Sequence, residues 1–139
     1  MMKKTTRVQG GSWGLVGKVF VSALLLLSFA RDTSGAPVTA EQAKSVVGGW
    51  LKADRTPLQT VLGQQIKRAD TFNDAAGAPL YYIFYLAPEG FVIVAADDLV
   101  EPIIGFAPSG QFDPSSDNPL GVLVSRDLPG RMAAVRGKK

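Results

Sequence analysis

Neither histidine nor cysteine occurs among the 139 residues. Without imidazole or thiol there is no Ser-His-Asp or Cys-His nucleophile system and no general base with an ordinary pKa near neutrality. A zinc centre of the usual nitrogen and sulfur type and a disulfide are excluded as well. Only carboxylate, hydroxyl, lysine or arginine chemistry remains. Charged residues are also few, 19% against 46% hydrophobic, which suits one compact domain and is too little chain for a two-domain enzyme. No internal repeat and no low-complexity segment interrupts it.

The net charge of +3 is unevenly distributed. Residues 1–30 hold four cations (Lys3, Lys4, Arg7, Lys18) and no acid, and the last nine residues hold four more (Arg131, Arg136, Lys138, Lys139). Between them, residues 31–130 carry seven cations and twelve acids, a net −5. A phosphate-binding surface needs lysine and arginine clustered across the folded domain. With the cations at the two ends, no nucleic-acid partner is expected.

The N-terminal cations precede an apolar run, Val19–Ala30, that suits the core of an export signal and falls short of the roughly 20 residues of a spanning helix. Ser28-Phe29-Ala30 permits a cut before Arg31, and Thr33-Ser34-Gly35 offers a second site. The alternative is an uncleaved anchor, with Leu15 and Val16 lengthening the run across Lys18, so that residues 15–30 hold the chain to a membrane. No cysteine is present to carry a lipid. The expectation is a secreted or periplasmic protein.

Thr39 followed by Gln42 has the pattern of a capping box, and Ala40, Ala43, Val46, Val47, Trp50 and Leu51 recur at helical spacing, which predicts a helix from Ala40 to about Ala53. Gly48 and Gly49 within it suggest close approach to a sheet, and Thr56-Pro57 requires the helix to stop by Arg55. Leu58–Leu62 is ambiguous between a helical turn and irregular chain. Gln64–Phe72 has the alternation of an exposed or edge strand. Leu80–Leu86 and Phe91–Ala96, separated by Pro88-Glu89-Gly90, predict an antiparallel hairpin whose faces are both shielded from water. Ile103–Ala107 supplies another strand, which Gln111-Phe112 would extend. Asp113–Pro119 is a loop by composition. Leu120–Val124 begins a helix that Pro129-Gly130 is expected to break, with Met132–Val135 as a further turn. The fold class is α+β: a small antiparallel sheet of three to four strands with helices packed on one face. Residues 37–125 form the expected domain, and residues 126–139 a basic, partly disordered tail.

Candidate chemistry is sparse. Asp97 and Asp98 are adjacent in extended chain and point to opposite sides, so they read as a polar strand end with one carboxylate capping a turn. Asp113, Asp117 and Asn118 lack the spacing of a calcium loop. The aromatic run Tyr81, Tyr82, Phe84, Tyr85 could stack sugars or bases, but with no interleaved cations it reads as core. The residues describe a non-catalytic module needing no metal and no cofactor.

The succession Tyr81–Leu86, Gly90–Asp98, Pro102–Phe106 and Gly110–Asp113, with the helix opening at Thr39–Ala43, resembles the propeptide of streptopain-type (C10) cysteine proteases and the related Spi streptopain inhibitors. The likeness covers roughly Val38–Leu123. It implies a domain that binds a papain-like protease and holds it inactive, in cis or in trans, while the nucleophile pair belongs to a protease domain absent from this chain. The chain departs from the family pattern at Asp127-Leu128-Pro129-Gly130, where the family continues its last helix, and at Phe106, where tyrosine is commoner. A pre-ordered loop presented to a cleft loses little entropy on binding. The Asp113–Leu120 segment is the candidate, with Asp117, Asn118, Pro119 and Leu120 as the expected protease contacts. The alternatives are a truncated remnant of a protease precursor and a membrane-anchored envelope domain unrelated to proteolysis.

Overall fold

The computed structural model describes residues 35–137. The expected export signal lies outside them, as do Lys138 and Lys139. The elements run α1 (Ala40–Ala53), a short 3₁₀ turn (Pro57–Gln59), β1 (Gln65–Asn73), β2 (Pro79–Ala87), β3 (Phe91–Ala95), β4 (Ile103–Ala107) and α2 (Pro119–Arg136). The four strands form one antiparallel sheet in the order β1-β2-β3-β4. This is the expected α+β class.

The β2–β3 hairpin sets the architecture. Tyr81 to Leu86 and Phe91 to Ala96 are all buried, so apolar side chains leave both faces of the sheet and both need cover. In-register pairing aligns Tyr81 with Ala95 and Tyr85 with Phe91 on one face, and Phe84 with Val92 on the other. Trp50 of α1 reaches Phe106, the partner of Val92, at a ring separation of 5.3 Å. Ser125 of α2 lies beside the Tyr81 hydroxyl on the opposite face. The two helices are therefore divided between the faces, where the sequence suggested that they share one. The physical reason is the unbroken apolar run of the central strands, which one layer of helix cannot shield.

α1 begins as its sequence dictates. The Gln42 amide donates to Thr39 Oγ1 at 3.3 Å, and the Thr39 amide donates to Gln42 Oε1 at 2.8 Å. Ala43, Val47 and Leu51, four residues apart, form its buried line. Gly48 and Gly49 do not mediate close packing: a Cβ added at either would meet nothing within 4 Å. Beyond α1, Leu58 adopts a left-handed backbone with φ 51° and projects its side chain into solvent, 88% exposed. β1 is an edge strand, with Lys67 and Arg68 outward and the Arg68 guanidinium 3.7 Å from the Tyr85 ring centroid.

Two expectations near the C-terminus are corrected. Gln111-Phe112 does not extend the sheet; Phe112 turns inward instead, edge-on to Phe72, Tyr81 and Phe91. The helix also passes through Pro129-Gly130 unbroken, so residues 126–136, expected as tail, belong to an 18-residue helix. An interior proline costs about 3 kcal/mol by removing one bond and crowding the preceding turn. Burial of Leu128 and Met132, at 0% and 1% exposure, contributes about 1.5–3 kcal/mol each, enough to offset it. Arg136 fastens the last turn, donating from Nη2 to the Pro79 carbonyl at 2.8 Å.

Leu128→Ala is accordingly expected to cost about 2–5 kcal/mol in equilibrium denaturation. A chain ended at Ser125 should lose cooperative unfolding altogether. Burial also pushes the hydroxyls of Tyr81, Tyr82 and Tyr85 above their ordinary 10.0, with the Asp70 charge adding to the effect at Tyr85. Neutral tyrosine is the form that the fold holds, so this stability is fully present below pH 10 and is lost as pH rises through the raised values. Thermal melts paired with tyrosinate absorbance should show ionisation and unfolding together on the alkaline side.

Candidate functional site

The segment joining β4 to α2 is built from its two anchored ends. Phe112 fixes one end in the aromatic cluster, where Phe72 and Tyr81 stack at 4.7 Å. The other end is the first turn of α2. Asp113 Oδ1 accepts from the Ser115 amide at 2.9 Å, and the Asn118 amide donates to the Ser115 carbonyl at 3.2 Å. Asn118 Oδ1 then accepts from the amides of Leu120 and Gly121, at 3.0 and 3.4 Å. Asparagine is among the preferred residues at this position because its carbonyl satisfies amides that the first helical turn leaves unpaired. Pro119 takes the first helical position, where its missing N–H costs nothing.

Gly121 completes the corner. A Cβ there would run into the Asp113 carbonyl and lie 3.0 Å from Pro114 Cα. Only glycine lets the loop backbone rest on the helix. The result is an exposed corner whose shape is set by internal hydrogen bonds and one close backbone contact.

The four expected contact residues come together at this corner in different states. Asp117 and Pro119 are exposed, Asn118 is half-buried, and Leu120 packs its side chain against the core. Asp117 and Pro119 line a groove of about 580 Å³ with Ser116, Val122, Leu123 and Arg126. Leu123 is 63% exposed and is the largest apolar group offered there. Sequence reasoning missed Leu123 because it expected a broken helix. Taken as one helix, with Gly121, Val124, Leu128 and Met132 buried, the 3.6-residue period places Leu123 on the outer face. The Asn118 carbonyl is used for the cap, and its Nδ2 makes no hydrogen bond among the described residues.

Asp97 and Asp98 behave as a strand end. Asp97 is buried and its Oδ1 accepts from the Leu99 amide at 3.1 Å, while Asp98 is exposed. Asp113 and Asn118 direct their oxygens to backbone amides.

Residues 35–125 match the family model of the Spi protease inhibitor, and the chain belongs to this family of protease inhibitors. No curated protein and no solved structure gives a significant match to it. The matched span ends within α2, eleven residues before the helix does.

Asn118→Ala should cost about 1 kcal/mol through loss of the cap, whereas Asn118→Asp, which keeps an acceptor there, should leave denaturant stability close to the parent's. Gly121→Ala should cost more than Asn118→Ala, because backbone rather than a flexible side chain must move.

Proposed function

We propose that this chain is a secreted, non-catalytic inhibitor, or propeptide-like module, that blocks a streptopain-type cysteine protease by seating the Asp117–Leu120 corner in its cleft. Family membership supports the inhibitory role. The observation that carries the choice of surface is the ordering of the corner before any partner arrives. The Asn118 rotamer is held by the cap, the Asp113 turn is closed, and Gly121 admits the loop against the helix. Binding then immobilises little that was free, and the lost entropy is small.

The four residues divide the work. Asp117 and Pro119 present surface, Asn118 offers its Nδ2–H donors, and Leu120 holds the corner down by packing inward. Leu123 and Val122 extend the contact along the groove with apolar surface. Burying most of Leu123 on the protease would contribute about 1.5–3 kcal/mol. Inhibition needs no chemistry from this chain; it needs shape and the exclusion of substrate. Export by residues 1–30 would bring it to the place where such proteases act.

The test is titration of a purified streptopain-type protease with the exported chain, following hydrolysis of a peptide substrate. Stoichiometric loss of activity is expected. Asn118→Asp should weaken inhibition by about tenfold, equivalent to about 1.4 kcal/mol, with stability unchanged. Leu123→Ser should weaken it comparably. If both variants inhibit like the parent, the corner is not the contact surface; if the parent fails to inhibit, the target is of another kind.

A further inference from the structure

Three carboxylates gather at the end of the sheet where the described chain begins. Asp97 and Asp98 follow β3, and Asp74 follows β1. Arg136 is the only cation paired with them among the described residues, its Nε 3.5 Å from Asp97 Oδ2 and its Nη1 3.7 Å from Asp74 Oδ2. Counted among the described residues, the group is left two negative charges in excess. The Asp97 side chain is wholly buried, and its Oδ2 has no hydrogen-bond donor among the described residues. A buried carboxylate oxygen in that condition is costly, and a further cationic donor would relieve it.

The backbone from Gly35 to Val38 lies directly across this pair. The Ala36 amide donates to Asp98 Oδ1 at 2.7 Å, the Asp98 amide donates to the Ala36 carbonyl at 3.2 Å, and the Val38 amide donates to the Ala96 carbonyl at 3.1 Å. Pro37 bridges to Asp97. Gly35 sits so near that a Cβ on it would strike Asp97 Oδ1. Gly35, Ala36, Pro37 and Asp97, with Pro79 and Arg136, line a cavity of about 550 Å³.

The geometry points to the Asp97–Asp98 pair as the receptor for the chain's own α-ammonium group, made by a cut between Gly35 and Ala36. Thr33 and Gly35 are small residues at the −3 and −1 positions that an export-signal peptidase reads. Water adds across the Gly35–Ala36 bond: Gly35 departs as a carboxylate, and the Ala36 nitrogen gains a hydrogen and one further proton. One amide donor becomes three ammonium donors. One keeps the Asp98 Oδ1 contact, and the departure of Gly35 clears the space beside Asp97 towards which another can turn. The new positive charge offsets half of the local excess. A cut before Arg31 would instead leave five residues, Arg31–Gly35, between the amino group and these carboxylates.

This inference rests on the export reading of residues 1–30 and not on the inhibitory one. The test is expression of the full chain in a secreting host, with intact mass and N-terminal sequencing of the product. Ala36 as first residue is expected. An uncleaved chain overturns both the cleaved-signal reading and this inference; any other first residue overturns this inference alone. The second measurement is the α-amino pKa by NMR in the processed protein. The groups facing it are Asp97, Asp98 and, through Arg136, Asp74, with the Tyr82 hydroxyl donating to the Val38 carbonyl nearby. The carboxylates outnumber Arg136, so the value should lie above the ordinary 7.7–8.0 and should fall towards it in Asp98→Asn. A group with a raised folded pKa adds stability at neutral pH that is lost as pH climbs through that value. An Ala36 amino group with an ordinary or lowered pKa overturns the assignment.

Discussion

The burial of β2 and β3 on both faces is the constraint from which the other elements follow. Six consecutive residues of β2, Tyr81 to Leu86, are out of water, and a strand in that position must have a layer on each side. α1 supplies one layer through Ala43, Val47 and Leu51, and α2 supplies the other through Val124, Leu128 and Met132. The same demand keeps α2 helical past Pro129. A helix stopped at that proline would leave Met132 without its place in the core.

The candidate contact corner is a by-product of this arrangement. Because α2 must cross the Tyr81 face, the chain leaving β4 has to climb from the sheet edge to the start of that helix. Phe112 pins the climb from below and Gly121 receives it from above. What remains between is short, polar and bound to itself, so the candidate contact surface is internally tied although it is a loop. The residues there divide: Leu120 and the Asn118 carbonyl serve the fold, while Asp117, Pro119 and Leu123 line the exposed groove.

Much of the fold was legible in the sequence, because local chemistry decided it. The Thr39–Gln42 box marked the first residue of α1, and prolines and glycines bracketed β2, β3 and β4 to within a residue or so. The edge position of β1 followed from its polar alternation. The failures came where tertiary packing overrode local preference. Pro129 and Gly130 are strong breakers in isolation, and nothing local discloses that Leu128 and Met132 hold the helix across them. Phe112 alternates like a strand residue yet serves as a plug, and Gly48-Gly49 has no packing partner to explain it. For the site, the position of the corner could be seen in composition alone. The roles within it could not: whether Asn118 faces a partner or its own helix depends on where α2 begins, and Leu123 becomes visible only once the helix is known to be continuous.

β4 is the other margin of the sheet, five residues long, with Ile103, Ile104 and Phe106 half-buried and a row of backbone groups open to pairing. Such a margin invites a second copy to add its own strand. Pro102 stands immediately before it and Pro108 immediately after, and neither can donate to a neighbouring chain. The stretch able to pair is thereby confined to roughly 17 Å. Prolines at both ends of an exposed strand are a known means of blunting a sheet edge.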